Sequence, residues 1–296
     1  MNFQPSKILT TPNDKMTKAI FSFTEKLFRY CVTKRDGNFK IQERRAKKIE
    51  TRVQMKFESA EPARLDMFDR AVLAACITEQ TAGHNPTSAD IIYRLITGKA
   101  AGDERNLPTE KQREEIMTSV KNLSATLIRV DMTEICKQVK KYNGGKPLIF
   151  PFTKILPCHI GTGKIGGATI NDAIYFDGES PLMKIAKAKN NQYVTFSNAV
   201  LDTGAKHNSR QIIAVKFYVM IRIREILGKN HMKAQTMKFD DIFTKCQMTD
   251  ASRDKKMKCR NAIKKMMENL KAAGIVKDFE PVKETGKFSS LNIKSD

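Results

Sequence analysis

At 296 residues the chain favours two domains, each large enough to bury its own core. A net charge of +21 and a sequence pI near 9.7 point to a polyanionic partner. No apolar run approaches the roughly 20 residues needed to span a bilayer, which excludes a membrane-spanning helix.

The opening, MNFQPSKILTTPNDK, lacks a hydrophobic signal core, so a soluble, cytoplasmic protein is expected. Residues 1–19 read as flexible, with a short packing segment around Ile8-Leu9. Ala19 to Val32 is apolar enough for a buried helix or a buried strand. A basic run over 34–48 follows, with Asp36-Gly37 as a turn. Ile49 to Glu58 alternates, placing Val53, Met55 and Phe57 on one side and Arg52, Gln54 and Lys56 on the other, the period of a half-buried strand.

Pro62 opens a helix over Ala63 to Thr81, whose stripe is Met67/Phe68, Ala71/Val72 and Ala75/Cys76. Thr87 or Ser88 caps a second helix, Ala89 to Thr97, which Gly98 stops. Thr109 caps a third, with Glu110, Glu114 and Glu115 early and Ile116, Val120 and Leu123 facing inward. Thr126 to Met132 is a strand. Residues 133–198 contain strands at Leu148–Ile155, Thr169–Phe176 and Gln192–Phe196 and a short helix at Pro181–Ala188, read together as an enlarged β insertion. Leu201 to Arg210 is polar and serves as linker. Gln211 to Leu227 is a core helix interrupted by Arg222, Arg224 and Glu225, and Lys238 to Lys245 is a short helix.

Ala251 to Gly274 is an amphipathic helix capped by Asp250 or Ser252. Cys259, Ile263, Met266, Met267, Leu270 and Ala273 share one face. Residues 251–273 hold eight Lys/Arg against two Asp/Glu, a net of +6, where a merely solvated face mixes signs. A strand at Ile275–Lys277, an acidic and proline bend, and a strand at Lys287–Ile293 follow. Residues 34–56 carry another +6, from nine Lys/Arg and three Asp/Glu.

Helices followed by a hairpin thus occur twice. The expected fold class is α+β, two winged-helix domains in tandem: a basic N-terminal arm (1–48), a first domain with β insertion (49–200), a linker (201–210) and a second domain (211–296). In such a domain a basic helix enters the DNA major groove and the hairpin lies on the backbone.

Catalytic and cofactor signals are weak. Gly161-Thr-Gly163-Lys-Ile-Gly166-Gly167 matches GxGxxG, but a strand follows rather than the helix that would hold a pyrophosphate, so a hairpin tip is expected. Cys31, Cys76, Cys136, Cys158, Cys246 and Cys259 form no CxxC pair, which argues against a disulfide framework or zinc knuckle and fits a reducing compartment. His84, His159, His207 and His231 form no metal-binding spacing. Asp66/Asp69 and Asp240-Asp241 read as helix N-terminal charges. No enzyme activity, cofactor or metal is expected.

The segments Met67–Leu73 (MFDRAVL), Ile91–Lys99 (IIYRLITGK) and Ile116–Leu123 (IMTSVKNL) form a series that resembles the plasmid replication initiators of the tandem winged-helix, iteron-binding type. The likeness is to the divergent initiator-like group on mobile elements above all. Pro181-Leu182, Val194-Thr195-Phe196 and Leu201-Asp202-Thr203 continue it in the same order, so that it covers about residues 50–293. The resemblance implies binding of double-stranded DNA at origin repeats, recruitment of host replication proteins and, in some members, autorepression as a homodimer, all without DNA cleavage. It matches the basic C-terminal helix to the family's origin-reading helix.

On this reading Arg253, Lys256, Arg260 and Asn261 contact base edges, because Arg suits guanine and Asn suits adenine. Lys255, Lys258, Lys264, Lys265 and wing Lys287 hold phosphates. The helix of residues 109–123, offering Lys111, Gln112, Arg113, Ser119, Lys121 and Asn122 outward, touches an adjacent groove more weakly. Arg44, Arg45, Lys47 and Lys48 form an arm on the backbone, with a solvated helix or loop as the alternative. A transcriptional repressor of the same fold is the rival function. A single-strand or RNA binder is a third class, which would want exposed aromatics on a sheet.

Overall fold

The computed structural model describes residues 7–22, 37–44, 49–59, 62–100, 107–206, 208–228, 236–284 and 287–294, a mixed α+β fold with several small sheets. β1 (Ile8–Pro12) and α1 (Lys15–Ile20) come first. The flexibility expected of 1–19 is corrected for this stretch: β1 pairs antiparallel with β8 (Tyr193–Ser197), and Leu9, Met16 and Ile20 are core residues. A strand whose partner is so distant in sequence leaves little local signal. Asp14 caps α1, accepting from the Met16 amide at 2.8 Å and the Thr17 hydroxyl at 2.6 Å. Most of Ala19–Val32 lies outside the described residues.

β2 (Gly37–Arg44) pairs antiparallel with β3 (Ile49–Phe57). Residues 37–44 of the basic run are therefore a strand. α2 (Met67–Thr81) starts four residues later than expected, because Asp66 is the cap. Its carboxylate accepts from the Phe68 and Asp69 amides at 2.7 and 3.1 Å, while Asp69 accepts from the Asp66 amide at 2.8 Å, a reciprocal box. α2 is buried on nearly every side, as befits the central helix of the core. α3 (Ala89–Thr97) is capped by Ser88, and Gly98 follows in the left-handed region at φ +79°. α4 (Glu110–Ala125) has the expected Thr109 cap, with Gln112 rather than an acid completing the box.

β4 (Thr126–Asp131) joins β3, and β5 (Ile149–Lys154) joins β4, giving a four-stranded antiparallel sheet ordered β2-β3-β4-β5. α5 (Thr133–Gln138) lies between them in sequence. β6 (Cys158–Ile165) and β7 (Ala168–Phe176) form a hairpin whose tip holds Gly166 and Gly167 at positive φ. The glycine-rich motif is thus a hairpin turn, with no helix after it. α6 (Pro181–Ala188) has its expected limits. The elements expected in 133–198 exist, but they do not form one insertion. β5 completes the large sheet, β6 and β7 stand as a separate hairpin, and β8 pairs with β1.

α7 (Arg210–Leu227), β9 (Thr236–Lys238), α8 (Phe239–Lys245) and α9 (Arg253–Ala272) lead to β10 (Asp278–Glu284) and β11 (Lys287–Lys294). β11 lies between β10 and β9. The first strand of this hairpin begins at Asp278, not Ile275. The Ile275 and Val276 amides both turn back to the Leu270 carbonyl, so these residues close the helix instead of pairing. Gly274 takes the expected left-handed position at φ +66°.

The polar stretch 201–210 is bonded to elements on both sides. The Asn208 amide donates to the Tyr93 hydroxyl at 3.3 Å, and its carbonyl accepts from the Gln112 side chain at 2.8 Å. Arg210 donates to Asp66 at 2.8 Å and Asp69 at 3.3 Å, with its guanidinium 4.4 Å from the Phe68 ring centre. The Asn269 amide of α9 donates to the Asp202 carbonyl at 2.5 Å. Lys216 is fully buried and donates to the Leu201 carbonyl at 2.5 Å and to Asn208 Oδ1 at 2.9 Å.

Those Lys216 acceptors are neutral, and burial pushes its amine down from 10.5 to about 7. The unfolded chain keeps this proton up to its ordinary lysine range, whereas the folded chain releases it near 7. Stability therefore rises as pH climbs from about 7 toward 10.5, and the penalty is fully present below 7. Chemical denaturation across that window should show the rise in the wild-type chain and a flatter profile in Lys216→Met. Identical slopes in the two proteins would refute the assignment.

Candidate nucleic-acid interface

α9 lays its apolar stripe, Cys259, Ile263, Met266, Met267 and Leu270, into the core, so its opposite side faces solvent. Ser252 caps it, accepting from the Lys255 amide at 3.4 Å. Arg253, Lys255, Lys258, Asn261, Lys264 and Lys265 are all exposed. Lys265 meets Glu268 at 3.2 Å, but both side chains are about half exposed, so the pair is weak and open to exchange for a phosphate. The hairpin β10–β11 follows directly.

Two of the residues expected at base edges are held differently. Arg260 is half-buried, its guanidinium 5.4 and 5.2 Å from the ring centres of Phe239 and Phe243 on α8. Lys256 donates to the Thr249 carbonyl at 2.5 Å and lies 5.9 Å from the Phe243 ring centre. Both cations are used at least in part to seat α9 on α8. The signal for this was available in the spacing of Phe239 and Phe243, four apart on one helix face.

On α4, Lys111 and Lys121 are exposed. Arg113 is held by Asp90 at 2.7 Å and Glu110 at 3.3 Å, and Asn122 is half-buried. The outward placement of Gln112 and Ser119 is corrected. Gln112 is buried and spends its amide on Asn208, and Ser119 is fully buried with its hydroxyl donating to Asp69 Oδ1 at 2.6 Å. Burial together with the neighbouring Asp66 carboxylate pushes the Asp69 carboxyl up, while Arg210 opposes the shift. Asp66 and Asp69 are thus more than helix-end charges: they anchor Arg210. That partner is distant in sequence and left no local mark.

Arg45, Lys47 and Lys48 lie outside the described residues, while Arg44 and Lys287 are placed as backbone positions at the end of β2 and the start of β11. Lys164, near the tip of the β6–β7 hairpin, is exposed.

The structure brings the two candidate helices together. A cleft of about 600 Å³ is lined by Thr109, Lys111, Gln112 and Glu115 of the α4 start, Ser209, Gln211 and Ile212 of the α7 start, and Lys255, Lys258 and Cys259 of α9. Three lysines and the N-terminal ends of three helices thus border one groove, an arrangement that attracts anions. Arg253, Asn261, Lys264 and Lys265 extend the positive surface along α9.

This is a mixed α+β chain whose exposed basic helix leads directly into an antiparallel hairpin. No protein family model and no curated protein matches it. Among solved structures it is similar to the RctB domains 2-3, RctB-155-483, at 11% identity and a TM-score of 0.43, covering 88% of this chain and 91% of that one. It is likewise similar to SeMet derivatives of domain 2 and domain 3 of RctB, at 11% identity and a TM-score of 0.42 with the same coverage. No residue role is carried over from a likeness of that size. No helix among the described residues is long and apolar enough to cross a membrane.

Proposed function

We propose that this chain binds specific sequences in double-stranded DNA and initiates replication of a plasmid or mobile element by binding repeats at its origin. On this reading α2–α4 with β4 and β5, and α7–α9 with β10 and β11, are winged-helix units in tandem. The observation that carries the reading is the uncovered positive face of α9, buried on its other side and followed at once by a hairpin. A helix placed that way can enter a major groove while the hairpin lies along the phosphates. The sequence resemblance to tandem winged-helix initiators supplies the biological role.

Arg253 and Asn261 are the side chains free to read base edges, with Lys258, Lys264 and Lys265 on phosphates. Lys111 and Lys255, across the shared cleft, would hold the adjoining backbone. Cytoplasmic action, recruitment of host replication proteins and a homodimeric autorepressing form belong to the same proposal.

The gene and its flanking DNA, placed on a fragment with no other origin, should sustain a plasmid after transformation. Failure to replicate, with duplex binding intact, would favour the repressor. Within the contact set, Asn261→Ala should relax sequence preference by about 1–3 kcal/mol at one position. Lys265→Ala should mainly lower the salt slope by about 1. The comparison is made by titrating target and scrambled duplexes at several salt concentrations. Equal losses on both duplexes for Asn261→Ala would count against base reading.

A further inference from the structure

The second basic window of the sequence, residues 34–56, falls largely on the four-stranded sheet. Period two sends Thr51, Val53 and Met55 of β3 inward, where α1, α5 and α6 pack. Arg52, Gln54 and Lys56 therefore point to the other face. The register extends that face across the sheet. Arg52 stands between Lys40 and Asp131, Gln54 between Asn38 and Arg129, and Leu127 between Lys56 and Lys154. Lys40, Arg52 and Arg129 are exposed, and Asn38, Lys40, Arg52, Gln54, Arg129 and Asp131 line one open depression. Phe152 of β5 belongs to the same face, since the Lys56 ammonium sits 4.4 Å from its ring centre.

We infer that this sheet face is a second nucleic-acid site, one that takes a single strand. Five cations there, Lys40, Arg52, Lys56, Arg129 and Lys154, are set among three carboxylates. Lys40 meets Glu50 at 3.0 Å and Lys154 meets Glu58 at 4.0 Å, each side chain at least a third exposed, so these pairs give way to phosphate at little cost. Asp131 stands opposite Arg52 and two residues from Arg129 on β4, and is held low mainly by the Thr133 amide.

Shape selects the single strand. A major groove admits a helix or a two-stranded ribbon, whereas this face is four strands wide, roughly 14 Å at about 4.8 Å per strand step. A single strand can lie flat across it, phosphates on the cations and bases against side-chain planes. Phe152 and the two guanidinium groups supply the planes, and Gln54 and Asn38 supply amides for base edges. A base that displaces the Lys56 ammonium from the Phe152 ring frees that ammonium for the neighbouring phosphate. The site stands independently of duplex reading by α9.

The test uses the full chain and labelled dT20 and rU20 followed by fluorescence anisotropy, with a duplex of the same length as the reference. The wild-type chain should bind at least one single strand. Arg52→Ala/Arg129→Ala and, separately, Phe152→Ala should each weaken single-strand binding roughly tenfold, leaving duplex binding within twofold. Lys258→Ala/Lys265→Ala should do the reverse. Ultraviolet cross-linking of the wild-type chain to dT20 needs no variant, and its adducts should map to the β5 peptide containing Phe152. No binding of either strand, adducts confined to α9, or equal losses on single strand and duplex in the sheet variants would overturn the assignment.

Discussion

Replacing Lys258, Lys264 and Lys265 together by alanine should weaken duplex binding about 100-fold at 0.15 M salt and flatten the log–log salt dependence by roughly 2.7. All three side chains are exposed on α9, and none is needed for the buried stripe that holds the helix. Each phosphate contact releases about 0.9 of a counterion, so three lost contacts set both numbers. Helix content and thermal stability should remain close to wild type, because exposed substitutions on an intact helix cost little. Binding measured from 50 to 300 mM salt checks this. An unchanged salt slope would mean that these cations do not face the DNA.

Gly98→Ala should cost about 3 kcal/mol or more of folding stability, the largest effect of a single methyl group expected anywhere in the described chain. Two causes act together. The residue sits at φ +79°, where a side chain is strained by roughly 1–2 kcal/mol. A Cβ there would also stand 2.4 Å from the Asn198 carbonyl oxygen and 2.5 Å from the Asp202 amide nitrogen. Both are backbone atoms and cannot swing aside. The same Asp202 segment accepts from Asn269 of α9, so the variant should loosen the seat of the basic helix as well. Urea denaturation gives the stability loss. A change below about 1 kcal/mol would show that the segment yields easily.

Gly98 also shows how far the sequence could be read. Its place at a helix end was plain from the pattern around Ile91–Ile96, but the close approach of residues 198–202 was not, because nothing local records a contact made across the fold. The helices α3, α4, α6 and α9 were legible to within a few residues, since caps such as Ser88, Thr109 and Ser252 and the apolar spacing are local signals. Of β1 only the packing segment at Ile8-Leu9 is legible, because its partner, β8, lies far along the chain. The strand nature of 37–44 was hidden by its charge: the basic residues drew attention to a flexible arm, although Phe39 and Ile41 alternate with them.

The site divides in the same way. Exposure of Arg253, Lys258, Asn261, Lys264 and Lys265 follows from one helical period, and the structure places them so. Ser119 and Gln112 looked equally suited on α4, but their partners, Asp69 and Asn208, come from other elements and draw them inside. The helical period alone leaves Arg260 a free cation, because the rings that hold it, Phe239 and Phe243, belong to another helix, α8. The period-two face of β3 was visible, yet its union with Arg129 and Phe152 needed the register of β3, β4 and β5.

The central claim is that the exposed side of α9 lies against duplex DNA. A photoactivatable cross-linker attached at Asn261→Cys, with the chain bound to duplex from the gene's own flank, tests it most directly. The account predicts adducts to duplex bases from position 261, suppressed by unlabelled target. Tight duplex binding with no adduct at 261 would contradict it.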